Sequence, residues 1–156
     1  MGTFPAIQSG FAIANLSATA VTVNLDLTRL DGSAAGSTTV RIPGNGQIAK
    51  MLHDVFPNIA FPIQGVLRIS GGGTGGLSAV GLRLRYNERG DVLTTTTPPT
   101  NENTAPTNTE LFFPHLVDGD GWTTQFILFS GGAGQTSNGL LRFIKQDGSA
   151  FGLSLR

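Results

Sequence analysis

The residues best suited to catalysis are His53 and Asp54, a base next to an acid. A nucleophilic triad needs nucleophile, base and orienting acid to converge in space, and adjacent side chains are expected to diverge. Serines are plentiful, but Gly76-Leu77-Ser78-Ala79-Val80-Gly81 has the wrong spacing for a nucleophile elbow, and no strand-to-helix turn follows it. His53 and His115 read instead as loop residues beside the Phe-Pro pairs. Asp118-Gly119-Asp120-Gly121 resembles the opening of a calcium loop, whose carboxylates would be hard oxygen ligands. The fifth position is Trp122, however, and no bidentate glutamate follows at the required distance. Asp118 and Asp120 are therefore a weak metal candidate, and an ordinary Asp-Gly turn is the expectation.

The run Gly71-Gly72-Gly73-Thr74-Gly75-Gly76 lacks the Lys-Ser/Thr that completes a phosphate loop, so it is expected to be a hairpin connection. Arg83 and Arg85 share a strand face with Asn87. They fit an anion or glycan site, or an outer sheet face kept soluble by charge, and the solvated face is the expectation. Trp122 and Tyr86 are the single members of their types. Exposed, they would suit sugar stacking; core packing is the first expectation. Asn15-Leu16-Ser17 matches a glycosylation acceptor, a match that chance supplies about once in such a chain. No cofactor motif is present.

Composition narrows the classes further. The 156 residues carry 10 basic and 10 acidic side chains, which cancel. A nucleic-acid binder carries a net positive stripe that displaces counterions from phosphates, so nucleic acid is not an expected partner. No stretch approaches the ~18 apolar residues of a membrane span. Met1–Val21 lacks the basic start and apolar run of an export signal. Cysteine is absent, and a chain this long can bury enough surface to fold without disulfides.

The elements that must position these residues are strands. Val21, Val23, Leu25 and Leu27 alternate with polar residues, which predicts a strand with one buried face. Asp31-Gly32 follows as a tight turn. Further strands are predicted at Val40–Ile42, Ile48–Leu52, Val66–Ile69, Leu82–Tyr86 and Val92–Thr97, the last resembling an edge. In Leu82–Tyr86 the leucines and the tyrosine are expected to face the core. One helical turn fits His53–Ala60. Residues 98–110, rich in Thr, Pro and Asn, read as a linker after the first unit at 1–97. Strands resume at Leu111–Phe113, Thr123–Phe129, Leu140–Ile144 and Leu153–Leu155. The sum is an all-β, Ig-like antiparallel sandwich of about ten or eleven strands.

The chain also echoes itself. Phe4-Pro5-Ala6-Ile7 matches Phe113-Pro114-His115-Leu116, and Phe11–Ala14 matches Phe126–Phe129. Asp31-Gly32-Ser33-Ala34-Ala35-Gly36 matches Asp147-Gly148-Ser149-Ala150-Phe151-Gly152 at five of six positions. Leu25 and Leu27 correspond to Leu141 and Phe143. Three matches in order, at nearly constant spacing, favour duplication. Residues 111–156 are then a partial second copy that cannot cover its own faces, and it is expected to rest on the first unit or on a neighbouring chain.

On the blocks QSGFAIANLSATAVTVNLDLTRLDGS, GVLRIS, VGLRLRYNERGDVLTTTTPP and ELFFPHLVDGDGWTTQFILFS, the chain resembles repeated modules of large secreted bacterial proteins, a family without an established activity. The resemblance implies an extracellular or cell-surface module and no chemistry. The resulting expectation is a non-catalytic structural or interaction module. Its partners would be further copies of itself, as a homo-oligomer, or neighbouring repeat modules, engaged through β-strand pairing. The alternative is a carbohydrate-binding module presenting Trp122, Tyr86, Arg83 and Arg85 to a glycan.

Overall fold

The computed structural model describes residues 7–73, 75–102, 110–117, 119–124, 126 and 138–152. It divides into two units, Met1–Pro99 and Thr100–Arg156, so the division falls inside the Thr/Pro/Asn-rich segment. Unit 1 holds β1 (Ile7–Asn15), β2 (Val21–Arg29), β3 (Ala34–Ile42), β4 (Gln47–Met51), the one-turn helix α1 (Leu52–Val55), β5 (Gly65–Gly71), β6 (Leu77–Tyr86) and β7 (Val92–Thr97).

These strands form two antiparallel sheets, one of order β4-β1-β6-β7 and one of order β3-β2-β5. The alternation read in β2 decides how they face each other. Val23, Leu25 and Leu27 point inward and are buried, and they meet Phe11 and Ile13 of β1, with Ile42 and Phe56 completing the core. The chain is an all-β antiparallel sandwich, as its alternation predicts. Phe56 and Ile59, just after α1, reach Gly36 of β3: a Cβ there would lie 2.8 Å from Ile59 Cδ1.

Several expectations are corrected. The register Ser9↔Arg83, Phe11↔Gly81, Ile13↔Ala79 places Arg83 and Arg85 on the same sheet face as the core residues, and Leu82, Leu84 and Tyr86 on the opposite face. Alternation separates two faces without saying which one is covered. A four-stranded sheet against a three-stranded one leaves a flank open, and every residue of β7 is exposed. The arginines sit on that flank with their heads in water. The glycine run is not a hairpin connection either, because β5 and β6 belong to different sheets. Among the described residues seven strands form, all before Pro99. Leu111–Phe113 and Leu140–Phe143 form no ladder, and Ile144 makes only an isolated bridge to Ala150. Strands are stable as members of a sheet with a covered face, and the described residues of 110–152 supply no ladder for them; most of the expected strand Thr123–Phe129 lies outside the described residues. The expected strand Leu153–Leu155 lies outside the described residues.

The same five-residue hairpin turn occurs three times. In Arg29–Ser33, Asn87–Asp91 and Lys145–Ser149, the first residue's N–H donates to the fifth carbonyl, and the glycine N–H donates to the first carbonyl. Gly32, Gly90 and Gly148 sit at φ 82°, 82° and 83°, the left-handed conformation that a three-residue hairpin loop requires. The turn at Asn87 has this backbone without the Asp-Gly-Ser sequence. Turn shape alone therefore does not argue for duplication.

The crossings between sheets converge on Asn15. Its side chain, 2% exposed, donates from Nδ2 to the carbonyls of Thr19 (2.8 Å) and Pro43 (2.9 Å). Its Oδ1 accepts from the Ser17 N–H (3.0 Å) and the Ser17 hydroxyl (2.8 Å). Backbone bonds run alongside, from Asn15 to Gly46, Asn45 to Ser17 and Leu16 to Gly76. Replacing Asn15 by Ala would remove four part-buried hydrogen bonds, each worth about 0.5–1.5 kcal/mol net. Urea unfolding of Asn15→Ala is expected to show a loss of about 3 kcal/mol. A loss under about 0.5 kcal/mol, the level of an ordinary surface change, would contradict this role.

Candidate functional site

The histidine-acid pair lies on and beside the surface. His53 Nε2 is 3.3 Å from Asp54 Oδ1, and both side chains are about half exposed. The two do meet, contrary to the expected divergence, because α1 is a single turn open to water. Among the described residues, no hydroxyl hydrogen-bonds to the His53 ring, so the dyad has no nucleophile to activate. Ser78 lies on an exposed position of β6.

The Asp-Gly segment of unit 2 is a two-residue hairpin turn. Gly119 and Trp122 exchange both backbone hydrogen bonds, at 3.0 and 2.9 Å. Asp120 and Gly121 take φ 50° and 84°, both left-handed, as a type I′ turn demands. Asp118 lies outside the described residues. Among those described, no group of three or more His, Asp or Glu side chains gathers to hold a metal ion.

This turn lifts Trp122 into solvent, with 70% of its surface exposed, which corrects the expectation of core packing. A shallow recess of about 340 Å³ lies beside it, lined by His115, Val117, Trp122, Thr123 and Thr124. The Thr124 hydroxyl donates to the Val117 carbonyl (2.8 Å) and accepts from the Val117 N–H (3.0 Å), which closes the base of the loop. The recess thus sets an exposed indole beside an imidazole and the Thr123 hydroxyl, with the Thr124 hydroxyl engaged by Val117.

Tyr86 is also exposed, on the outer face of β6 in unit 1. Arg85 pairs with Glu88 at 3.5 Å, and Arg89 with Asp91 at 3.3 Å, all well exposed. Asn87 is spent on its own turn, with Oδ1 accepting from the N–H groups of Arg89 and Asp91. Tyr86 and the two arginines lie on opposite faces of one sheet, so they do not form a single ligand face. Asn15 of the Asn-Leu-Ser motif is buried with both ends of its amide engaged. A glycan acceptor must offer that nitrogen to an enzyme, so the motif is structural. Nothing in its residue types marked it as a hub; its place, directly after an apolar strand, was the one available sign.

Compared with known proteins, the chain matches no family model, no curated sequence and no solved structure.

The perturbed carboxylates are not in any recess. Asp31 and Asp147 sit in the first and third turns, held below their ordinary acidity value chiefly by the hydrogen bond from the following serine's side chain, then by that serine's backbone N–H. The Ser149 hydroxyl is 2.6 Å from Asp147 Oδ1. Arg29 adds a smaller attraction at Asp31. A carboxylate favoured in the folded state stabilises the turn at pH above its unfolded pKa, and that contribution disappears as pH falls through the lower, folded value. Titration followed by carboxyl-carbon NMR should give midpoints for both below an unperturbed aspartate, with Ser33→Ala and Ser149→Ala each raising the neighbouring midpoint. Midpoints that ignore these substitutions would refute the assignment.

Proposed function

We propose that this protein is a non-catalytic structural module of an extracellular assembly, working by association with further copies or with neighbouring modules. The observation that carries this is apolar exposure in unit 2. Among its described residues, nine large apolar side chains are exposed, including Phe112 at 79%, Leu140 at 77% and Leu111 at 71%. Unit 1 exposes six over a longer chain. Abundant apolar exposure favours a surface that meets a partner.

The internal correspondence supports this reading. Phe126 aligns with Phe11, and Phe143 with Leu27, both core residues of unit 1. In unit 2 these phenylalanines stack edge-on, with centroids 6.4 Å apart, and Phe113 joins at 5.2 Å from Phe126. Unit 2 has the start of a core of the unit 1 kind, without equivalents of β4 to β7 over it among its described residues. Burying each exposed ring or leucine is worth about 1.5–3 kcal/mol, which favours completion by another surface. Light scattering across a wide concentration range is expected to show mass rising with concentration. Phe112→Ser with Leu140→Ser should weaken that association about tenfold or more per residue. A monomer at every concentration would overturn the proposal.

A second reading rests on the Trp122 recess, which suits a sugar ring. Because Trp122 is the one tryptophan, its fluorescence reports binding directly. Soluble oligosaccharides should shift or quench its emission saturably, and Trp122→Ala, which removes the fluorophore, should abolish the calorimetric heat of binding. Unchanged emission across a glycan series, with no heat of binding in the unsubstituted protein, would remove this reading.

A further inference from the structure

We infer that β7 is a self-pairing edge, which joins antiparallel to β7 of a second copy and merges two four-stranded sheets into one of eight. The inference rests on the module reading above and adds to it the strand, the partner and the symmetry. The two sheets have four edge strands: β3, β4, β5 and β7. Three of them carry a cation: Arg41 in β3, Lys50 in β4 and Arg68 in β5. Natural sheets keep their edges from pairing with such charges, with proline, or with bulges. β7 has none of these within Val92–Thr97. Its pairing with β6 runs unbroken from Tyr86↔Val92 to Gly81↔Thr97, so the edge is straight and all six of its residues are exposed. Pro98 and Pro99 end it at a length of about 20 Å.

The edge suits a second copy better than an unrelated strand because it is self-complementary. In an antiparallel pair related by a two-fold axis normal to the sheet, each residue keeps its face, so residues pair only with partners of like parity. For β7, every such register sets Thr, Val or Leu against Thr, Val or Leu, with no charge opposed. The outer face of the sheet continues this pattern inward, since Val80, Leu82, Leu84 and Tyr86 line β6 behind Val92, Thr94 and Thr96. Two such faces would join across the junction. The cations nearest to it, Arg83 and Arg85, stand one strand back. Across the junction they lie three strand spacings from their counterparts, about 14 Å, beyond the ~8 Å screening length at physiological salt.

Two charged variants of the full chain test this: Thr94→Lys with Thr96→Lys, and Thr94→Glu with Thr96→Glu. Both positions are exposed, and far-ultraviolet circular dichroism confirms that each variant folds. Alone, each variant should associate roughly five- to tenfold more weakly than the unsubstituted protein, because like charges then stand directly opposite when the axis falls on residue 94, 95 or 96, and diagonal to each other when it falls on 93. An equimolar mixture should recover association. Single cysteines placed in turn at residues 93 to 96, in a chain that has none of its own, should yield a disulfide-linked dimer fastest at the position on the two-fold axis. Weakening without recovery in the mixture would mean that β7 meets another surface, and self-pairing would be wrong. Undiminished association in both variants would overturn the β7 assignment and leave the module reading intact. An unsubstituted protein that stays monomeric would overturn both.

Discussion

One buried amide holds the layers of unit 1 in register. A sandwich chain must leave one sheet and enter the other, and each crossing frees backbone groups from their ladder. Here β1 ends in the first sheet, β2 begins in the second, and the β3–β4 and β5–β6 crossings return nearby. Asn15 supplies donors to two of these segments and an acceptor to a third group, at the point where Phe11 and Ile13 hand over to the loop. Gly44, in the loop under it, would set a Cβ 2.0 Å from the Ala18 carbonyl. The apolar core gives the sheets a reason to meet, and this amide fixes where they meet. Hydrophobic burial is non-directional, so the directional part of the fold must come from such bonds.

How much was legible in the sequence follows from the same division. Hydrophobic period, being local, was readable: Val23, Leu25 and Leu27 face the core as their spacing implies, and β7 lies at an edge as its threonines suggest. What required knowledge of neighbours was not readable. The alternation in β6 gave two candidate faces, and only its register with β1 shows that Gly81, rather than Leu82, lies opposite Phe11. In unit 2 the strand patterns are present in the residues, but among the described residues they join no ladder. The Trp122 loop lay in between: its Asp-Gly pair announced a turn, yet whether the indole would be buried depended on what covers it.

The geometry of the histidine-acid pair has a physical consequence. General base catalysis depends on a desolvated, oriented pair with a nucleophile in reach. His53 and Asp54 have orientation without desolvation, and no described hydroxyl bonds to the imidazole. The carboxylates with perturbed acidity, Asp31 and Asp147, are occupied in closing turns. Their shifts report local hydrogen bonding in structural hairpins, a standing reason why perturbed acidity is only probabilistic evidence of a site.

The two surfaces proposed for association differ in kind, and the difference bears on what they would build. A β7–β7 junction is isologous: the same edge on both copies, closed once made, so by itself it stops at a dimer. The apolar surface of unit 2 lies on another part of the chain. If it meets a different surface on its neighbour, that contact is heterologous and leaves a free end at each step. Alternating a closed contact with an open one gives an extended array from one type of subunit, without either contact needing to be strong. A short strand pair is weak, since ordering and association costs offset most of its hydrogen bonding, but repetition along an array multiplies the effect of each weak contact. A chain with little charge and an open strand edge in unit 1 is suited to that kind of work.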